Sequence, residues 1–298
     1  MRGNAPVNIG IRLHDTAPGT LEERLDFAKA QGFACAHLAL SKVLPGFAMP
    51  DAPRLLADGA LAERVRSAFE SRGMGCAVLG CYLSLADTDA GALERTQAVY
   101  RAHLRFCRTI GAGVVGTETP PAPSLRASAT DLDSEEAFRL FVNGVRPVVR
   151  WAEEEGAALA VEPVCNHIIS TPERAERLLE ALASDSVSII LDAVNLLSSD
   201  MTDRADAVIA DAIARLGDKV SVLHMKDFID APGESRPRPV ACGDGRMRYG
   251  ALLALAKRRE LPMTLENTNP ENAEAARLRL EAIGAGLRAD RPIEEDAK

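Results

Sequence analysis

Short apolar runs of strand length alternate with amphipathic segments of helix length along this chain, and the alternation repeats eight times. The apolar runs lie at 7–14, 35–40, 76–83, 113–117, 158–161, 188–191, 220–223 and 262–265. Helical segments follow them at 20–31, 61–71, 93–110, 135–155, 171–183, 205–216, 249–259 and 272–283. A strand, a crossover helix and a second strand place the two strands parallel, so the pattern specifies βα units. Eight units in 298 residues match the α/β class and a single-domain (β/α)8 TIM barrel, with 1–287 in the barrel and 288–298 as a polar C-terminal tail. An open, doubly wound sheet is the competing arrangement. Its mark is a Gly-rich nucleotide loop after the first strand, and Arg12-Leu13-His14-Asp15 contains none. Local chemistry agrees with the helix boundaries: Thr171-Pro172-Glu173 supplies an N-cap hydroxyl, a proline at the first helical position and an acid in the first turn.

Four of the runs stop at a side chain able to ligate a metal. They read Leu159-Ala160-Val161-Glu162, Ile189-Ile190-Leu191-Asp192, Val222-Leu223-His224 and Met263-Thr264-Leu265-Glu266. A buried strand has no use for a carboxylate unless the charge is paired, protonated or bound to a cation. The separations are 30, 32 and 42 residues, one βα repeat each, the last enlarged by the loop 228–248. All four therefore fall at the C-terminal ends of the fifth to eighth strands, the face where barrel chemistry gathers. Any one alone reads as a helix cap, a salt-bridge partner or a core histidine; four at repeat spacing read as one site. Three carboxylates and one imidazole suit a divalent cation such as Mn, Co or Mg, with Zn as the alternative, and do not suit a thiolate-rich structural zinc site. Glu162 and Glu266 come from nonadjacent strands, placed to approach opposite faces of a substrate, where one removes a proton from carbon and the other returns it.

Composition narrows the function classes. A formal net charge of −8 argues against a nucleic-acid partner, whose phosphates demand a concentrated basic face. No run reaches the roughly 18 apolar residues of a membrane span, and no signal-peptide core is visible, so no membrane partner and a cytoplasmic location are expected. Six cysteines without CxxC pairs read as buried free thiols. Cys165, just after the fifth strand, has no identifiable partner that would activate it as a nucleophile.

The segments Val161-Glu162-Pro163, Leu191-Asp192-Ala193-Val194-Asn195, His224-Met225-Lys226-Asp227, Gly243-Asp244-Gly245 and Thr264-Leu265-Glu266-Asn267 resemble the xylose isomerase-like TIM-barrel superfamily, also called the AP endonuclease 2 domain family. The resemblance spans roughly residues 7 to 285. It implies one divalent ion held by Glu162, Asp192, His224 and Glu266, and a sugar or sugar phosphate isomerase or epimerase whose two glutamates exchange protons through a cis-enediolate. It also implies a homo-oligomer with a carbohydrate or polyol substrate. Many epimerases of the family carry His three residues after the Asp, where this chain has Asn195, which hydrogen-bonds a hydroxyl but cannot be protonated.

Around this core, His167, Asn195, Glu118, Lys226, Asp227 and His14 are candidate substrate-binding residues, each sitting at or just past a strand end. Arg236, Arg238 and Arg246 in the loop after the seventh strand are candidates for an anionic group, the alternative being solvated surface arginines. Phe47 and Met49 are expected to wall the pocket from the loop 45–53. Three other readings share the sequence: a keto-cyclitol dehydratase on the same metal site, an AP endonuclease, and a noncatalytic sugar-binding barrel.

Overall fold

The protein is described by a computed structural model covering residues 8–128 and 130–286, so the tail expected at 288–298 lies outside the described residues. The barrel staves are β1 (Ile9–Arg12), β2 (Cys35–Leu38), β3 (Gly75–Gly80), β4 (Val114–Thr117), β5 (Leu159–Val161), β6 (Val187–Asp192) and β7 (Val220–Met225). A short antiparallel hairpin, β8 (Asp227–Ile229) with β9 (Arg238–Val240), follows β7, and β10 (Met263–Leu265) is the eighth stave. The strands close in the order β1-β10-β7-β6-β5-β4-β3-β2, with every barrel pairing parallel. This is a single-domain (β/α)8 TIM barrel, as the alternation predicts.

Side-chain alternation along each strand separates two layers. One set packs inside the ring as a small cluster of Cys35, Ala77, Val78, Val114, Ala160, Ile190 and Val222. The other set, including Ile9, Ile11, Val115, Leu159, Leu191, Leu223 and Leu265, joins the larger core beneath the helices. The interior is tight enough to demand glycine on β1: a Cβ at Gly10 would sit 2.5 Å from the Cys35 carbonyl oxygen.

The helices are α1 (Leu21–Ala30), α2 (Leu40–Val43), α3 (Ala52–Leu55), α4 (Gly59–Glu70), α5 (Ala90–Ile110), α6 (Pro123–Ala127), α7 (Glu135–Glu155), α8 (Pro172–Leu182), α9 (Ala205–Leu216), α10 (Gly250–Arg259) and α11 (Ala273–Gly286). Caps fix their starts. The Thr171 hydroxyl accepts from the Arg174 N–H with Pro172 in the first turn of α8, and Thr20 with Glu23 forms a reciprocal capping box on α1. Among the described residues no helix is long and apolar enough to cross a membrane.

The structure differs from the sequence expectation mainly where loops carry local order. The first strand stops at Arg12, because residues Leu13–Asp15 form a 3-10 turn that swings His14 onto the barrel mouth. The loop expected at 45–53 is largely ordered, with a 3-10 turn at Met49–Asp51 running into α3, and Met49 together with Ser41 and Lys42 of α2 lines the same mouth. The enlarged seventh repeat is explained by the β8–β9 hairpin.

Candidate metal centre

Strand register gathers the four proposed ligands at the C-terminal end of the barrel. Asp192 on β6 is paired with His224 on β7, and His224 with Thr264 on β10, two residues before Glu266. Glu162 is fixed by its backbone N–H, which donates to the Thr117 carbonyl of β4, and Glu266 likewise by donation to the Met225 carbonyl of β7. All four side chains are buried. The His224 Nδ1 lies 3.1 Å from Glu162 Oε2 and 3.2 Å from Glu266 Oε1, so one imidazole nitrogen is shared between carboxylates from opposite sides. Glu162, Asp192 and His224 present one ligand atom each within 4.8 Å of one another, and His37, His224 and Glu266 do the same.

Asp192 has a divided role. Its Oδ1 accepts from the backbone N–H groups of Val194 and Asn195, both at 3.0 Å, a local turn that Asp and its short spacing favour. Its Oδ2 is left facing the site, 2.8 Å from Lys226 Nζ. Lys226 also reaches Glu266 Oε2 at 3.5 Å and donates to Asn195 Oδ1 at 3.0 Å. Asn195 in turn donates from Nδ2 to Glu162 Oε1 at 2.5 Å. Arg236, from the hairpin connection, donates to Asn195 Oδ1 at 2.7 Å and to Asn166.

Charge explains the protonation states. Burial opposes a charged imidazole at His224, but Glu266 and Glu162 outweigh it and push the ring up to about 9. Burial would raise Glu266, yet His224, Lys226 and Arg12 hold its carboxyl well below the usual range. Asp192 is raised by burial, with Lys226 opposing. Glu118 is pushed up to about 8, first by burial and then by repulsion from Glu162 and Glu266.

The donor set fits a cation. His224 Nε2 is buried with no hydrogen-bond partner, and an unsatisfied buried polar atom of this kind calls for one. Three carboxylates and an imidazole converge with Lys226 and Arg12 as flanking positive charges. The cluster is a divalent-metal-coordinating site.

Above it opens a cavity of about 290 Å³, lined by Glu162 and Glu266 together with Arg12, His14, His37, Tyr82 and Glu118. His14 and Glu118 thus stand where the sequence suggests, and Met49 also lines the cavity, whereas Phe47 is buried edge-on against His103. His167 Nδ1 lies 3.6 Å from Glu118 Oε2. Asp227 does not face the cavity. Its carboxylate accepts from the N–H groups of Phe228, Gly243 and Met247 and from the Tyr249 hydroxyl, which makes it the organiser of the loop after β7. Of the three arginines, only Arg236 reaches the site; Arg238 is exposed on β9 and Arg246 pairs with Asp203 and Asp230. Cys165 donates to the Leu197 carbonyl, and burial raises its thiol, so it is not activated.

Three contributors went unread in the sequence: Arg12, His37 and Tyr82. Arg12 lies 3.4 Å from Glu266 Oε2, and His37 stacks on His224 with ring centroids 5.3 Å apart and planes at 16°. The Tyr82 hydroxyl is 3.3 Å from His37 Nε2. Arg12 and His37 are register partners on β1 and β2, two residues beyond the interior positions Gly10 and Cys35. Counting inward positions along those strands would have found both.

Comparison with known proteins agrees with this architecture. No curated protein matches the chain by sequence. Among solved structures, the IolI protein with a bound zinc atom superposes with a TM-score of 0.73 at 16% identity, covering 95% of this chain and 100% of that one. The 3-keto-D-glucoside 4-epimerase YcjR from E. coli gives 0.69 at 16% identity, covering 93% and 99%. The probable 3-DHS dehydratase AsbF from Bacillus anthracis gives 0.68 at 14% identity, covering 93% and 97%. At these identities the likeness establishes a shared fold. The family model described as "Xylose isomerase-like TIM barrel" matches residues 25–284, nearly the whole described barrel with all four donors inside it, and the chain belongs to that family.

Proposed function

We propose that this protein is a divalent-metal-dependent isomerase or epimerase of a sugar or sugar phosphate. The observation that carries the reading is the placement of Glu162 and Glu266. They rise from β5 and β10, with the two staves β6 and β7 between them, they flank the same His224 nitrogen, and both line the cavity. An Mn, Co or Mg ion, or Zn, held by Glu162, Asp192, His224 and Glu266 would polarise a substrate carbonyl and stabilise the charge that develops on its oxygen. One glutamate takes the proton from the carbon beside that carbonyl, leaving a cis-enediolate; the other returns a proton, and the face or carbon that receives it decides between epimer and isomer. Arg12, His14 and Tyr82 are available to hold substrate hydroxyls or a phosphate at the cavity mouth. The likeness to an epimerase acting on a keto-glucoside is consistent with this chemistry.

The test is a screen of ketoses, sugar phosphates and cyclitols by NMR in deuterated water, after metal analysis of the purified protein. Deuterium entering the carbon beside the carbonyl is the expected result, and Glu266→Gln should abolish it; full turnover by that variant would remove Glu266 from proton transfer.

A second reading, dehydration of a keto-cyclitol, is favoured by Glu118. This carboxyl faces the cavity, and its burial favours the protonated form, so it is placed to offer a proton to a departing hydroxide. Product mass separates the two, since only dehydration loses water.

A further inference from the structure

The orientation of the Asn195 amide can be derived from its partners. Lys226 Nζ and Arg236 Nη2 approach one amide atom at 3.0 and 2.7 Å, and both are obligate donors, so that atom must be the oxygen. The NH2 group is thereby turned onto Glu162 Oε1 at 2.5 Å. Two cations thus fix which way the amide points. Glu162 is left with unlike oxygens: Oε1 accepts from Asn195, while Oε2 faces His224.

We infer that Asn195 is a positioning residue for Glu162, not a substrate contact. Its oxygen already accepts from two cations and its NH2 is engaged by a carboxylate; the side chain is buried and absent from the cavity wall. What it contributes is a rigid Glu162 with one oxygen committed and one presented to the ion. The chain Arg236–Asn195–Glu162 also ties the hairpin connection to the metal centre, because Arg236 is delivered by the segment between β8 and β9. The chemistry required at position 195 is a neutral group that donates on one side and accepts on the other. Neutral histidine meets the same requirement through its two ring nitrogens. Asn195 and a histidine at this place are therefore equivalent in the direction of their hydrogen bonds.

This inference rests on the metal-centre reading above, and its main test needs no substrate. Metal-free full-length protein is titrated calorimetrically with Mn²⁺ as wild type, Asn195→Ala and Asn195→His. Loss of an outer partner of a metal ligand costs about 10- to 100-fold in affinity, the effect expected for the alanine variant, with the histidine variant recovering to within about threefold of wild type. With an exchanging substrate in hand, Asn195→Ala should lower kcat while KM stays within about threefold. Alanine binding Mn²⁺ as tightly as wild type, or raising KM with kcat unchanged, would overturn the assignment. So would a histidine variant that binds Mn²⁺ as weakly as alanine. Wild-type protein that fails to bind Mn²⁺, Co²⁺, Mg²⁺ or Zn²⁺ at all would instead overturn the metal-centre reading itself.

Discussion

Lys226 is the residue on which the metal-free centre leans. Its ammonium, 2.8 Å from Asp192 and 3.5 Å from Glu266, is buried with them and supplies a positive charge among three carboxylates. Removing one partner of a buried pair leaves an uncompensated charge and costs about 3–5 kcal/mol. Lys226→Met is therefore expected to destabilise the metal-free protein by that amount in urea unfolding. Mn²⁺ should restore part of the loss, because a cation answers the same carboxylates. A metal-free midpoint equal to wild type would show that the carboxylates discharge by protonation instead. Asp227, next in sequence, illustrates the limit of reading residues by adjacency. It shares the His224-Met225-Lys226-Asp227 motif, yet its side chain turns away from the cavity to gather the loop after β7.

Among the elements, α5 and α8 carry the clearest physical signatures. Thr171 caps α8 by accepting from the Arg174 N–H, so Thr171→Ala should cost about 1 kcal/mol of stability with the metal centre undisturbed, measured by denaturant midpoint and Mn²⁺ affinity together. On α5, His103 is fully buried with Nδ1 2.8 Å from the Val99 carbonyl, and burial lowers its ring to about 4 from an ordinary 6.5. The unfolded chain takes up that proton first as pH falls. His103 therefore contributes stability that is whole above about 6.5 and is lost as pH drops through about 4. His103→Gln should flatten the acid limb of stability against pH by up to about 1.4 kcal/mol per pH unit across that window. Elements of this kind were legible because strand and helix periods, caps and repeat spacing are written locally, and Glu162, Asp192, His224 and Glu266 inherit their placement from them. Arg12, His37 and Tyr82 were not. Arg12 and His37 sit two residues beyond interior positions of β1 and β2, a local alternation whose inward face is settled only when the ring closes, and Tyr82 lies past the end of β3, where no strand pattern states its place. The ordered turns between 40 and 55 escaped for a different reason: α2 and α3 are single turns held by tertiary packing, too short to announce themselves by periodicity.

At the scale of the whole molecule, closure of the barrel and completion of the donor set coincide. The ring is sealed by β10, three residues long, which pairs with β1 on one side and β7 on the other. The residue immediately after it is Glu266. A ligand that binds only the folded form stabilises it by mass action, about 2.7 kcal/mol at a hundredfold excess over the dissociation constant. Saturating Mn²⁺ should accordingly raise the melting midpoint, while chelation returns it, and Glu266→Gln should blunt the shift. A chain ending at residue 261 would lack β10, expose the edges of β1 and β7, and hold three of the four donors. Such a fragment is expected to retain no Mn²⁺ on gel filtration and to aggregate. During synthesis the first seven staves emerge before the eighth, so the growing chain passes through a stage that holds Glu162, Asp192 and His224 without Glu266. A cation that required Glu266 for its grip would thereby be admitted only to chains whose last stave has found its first.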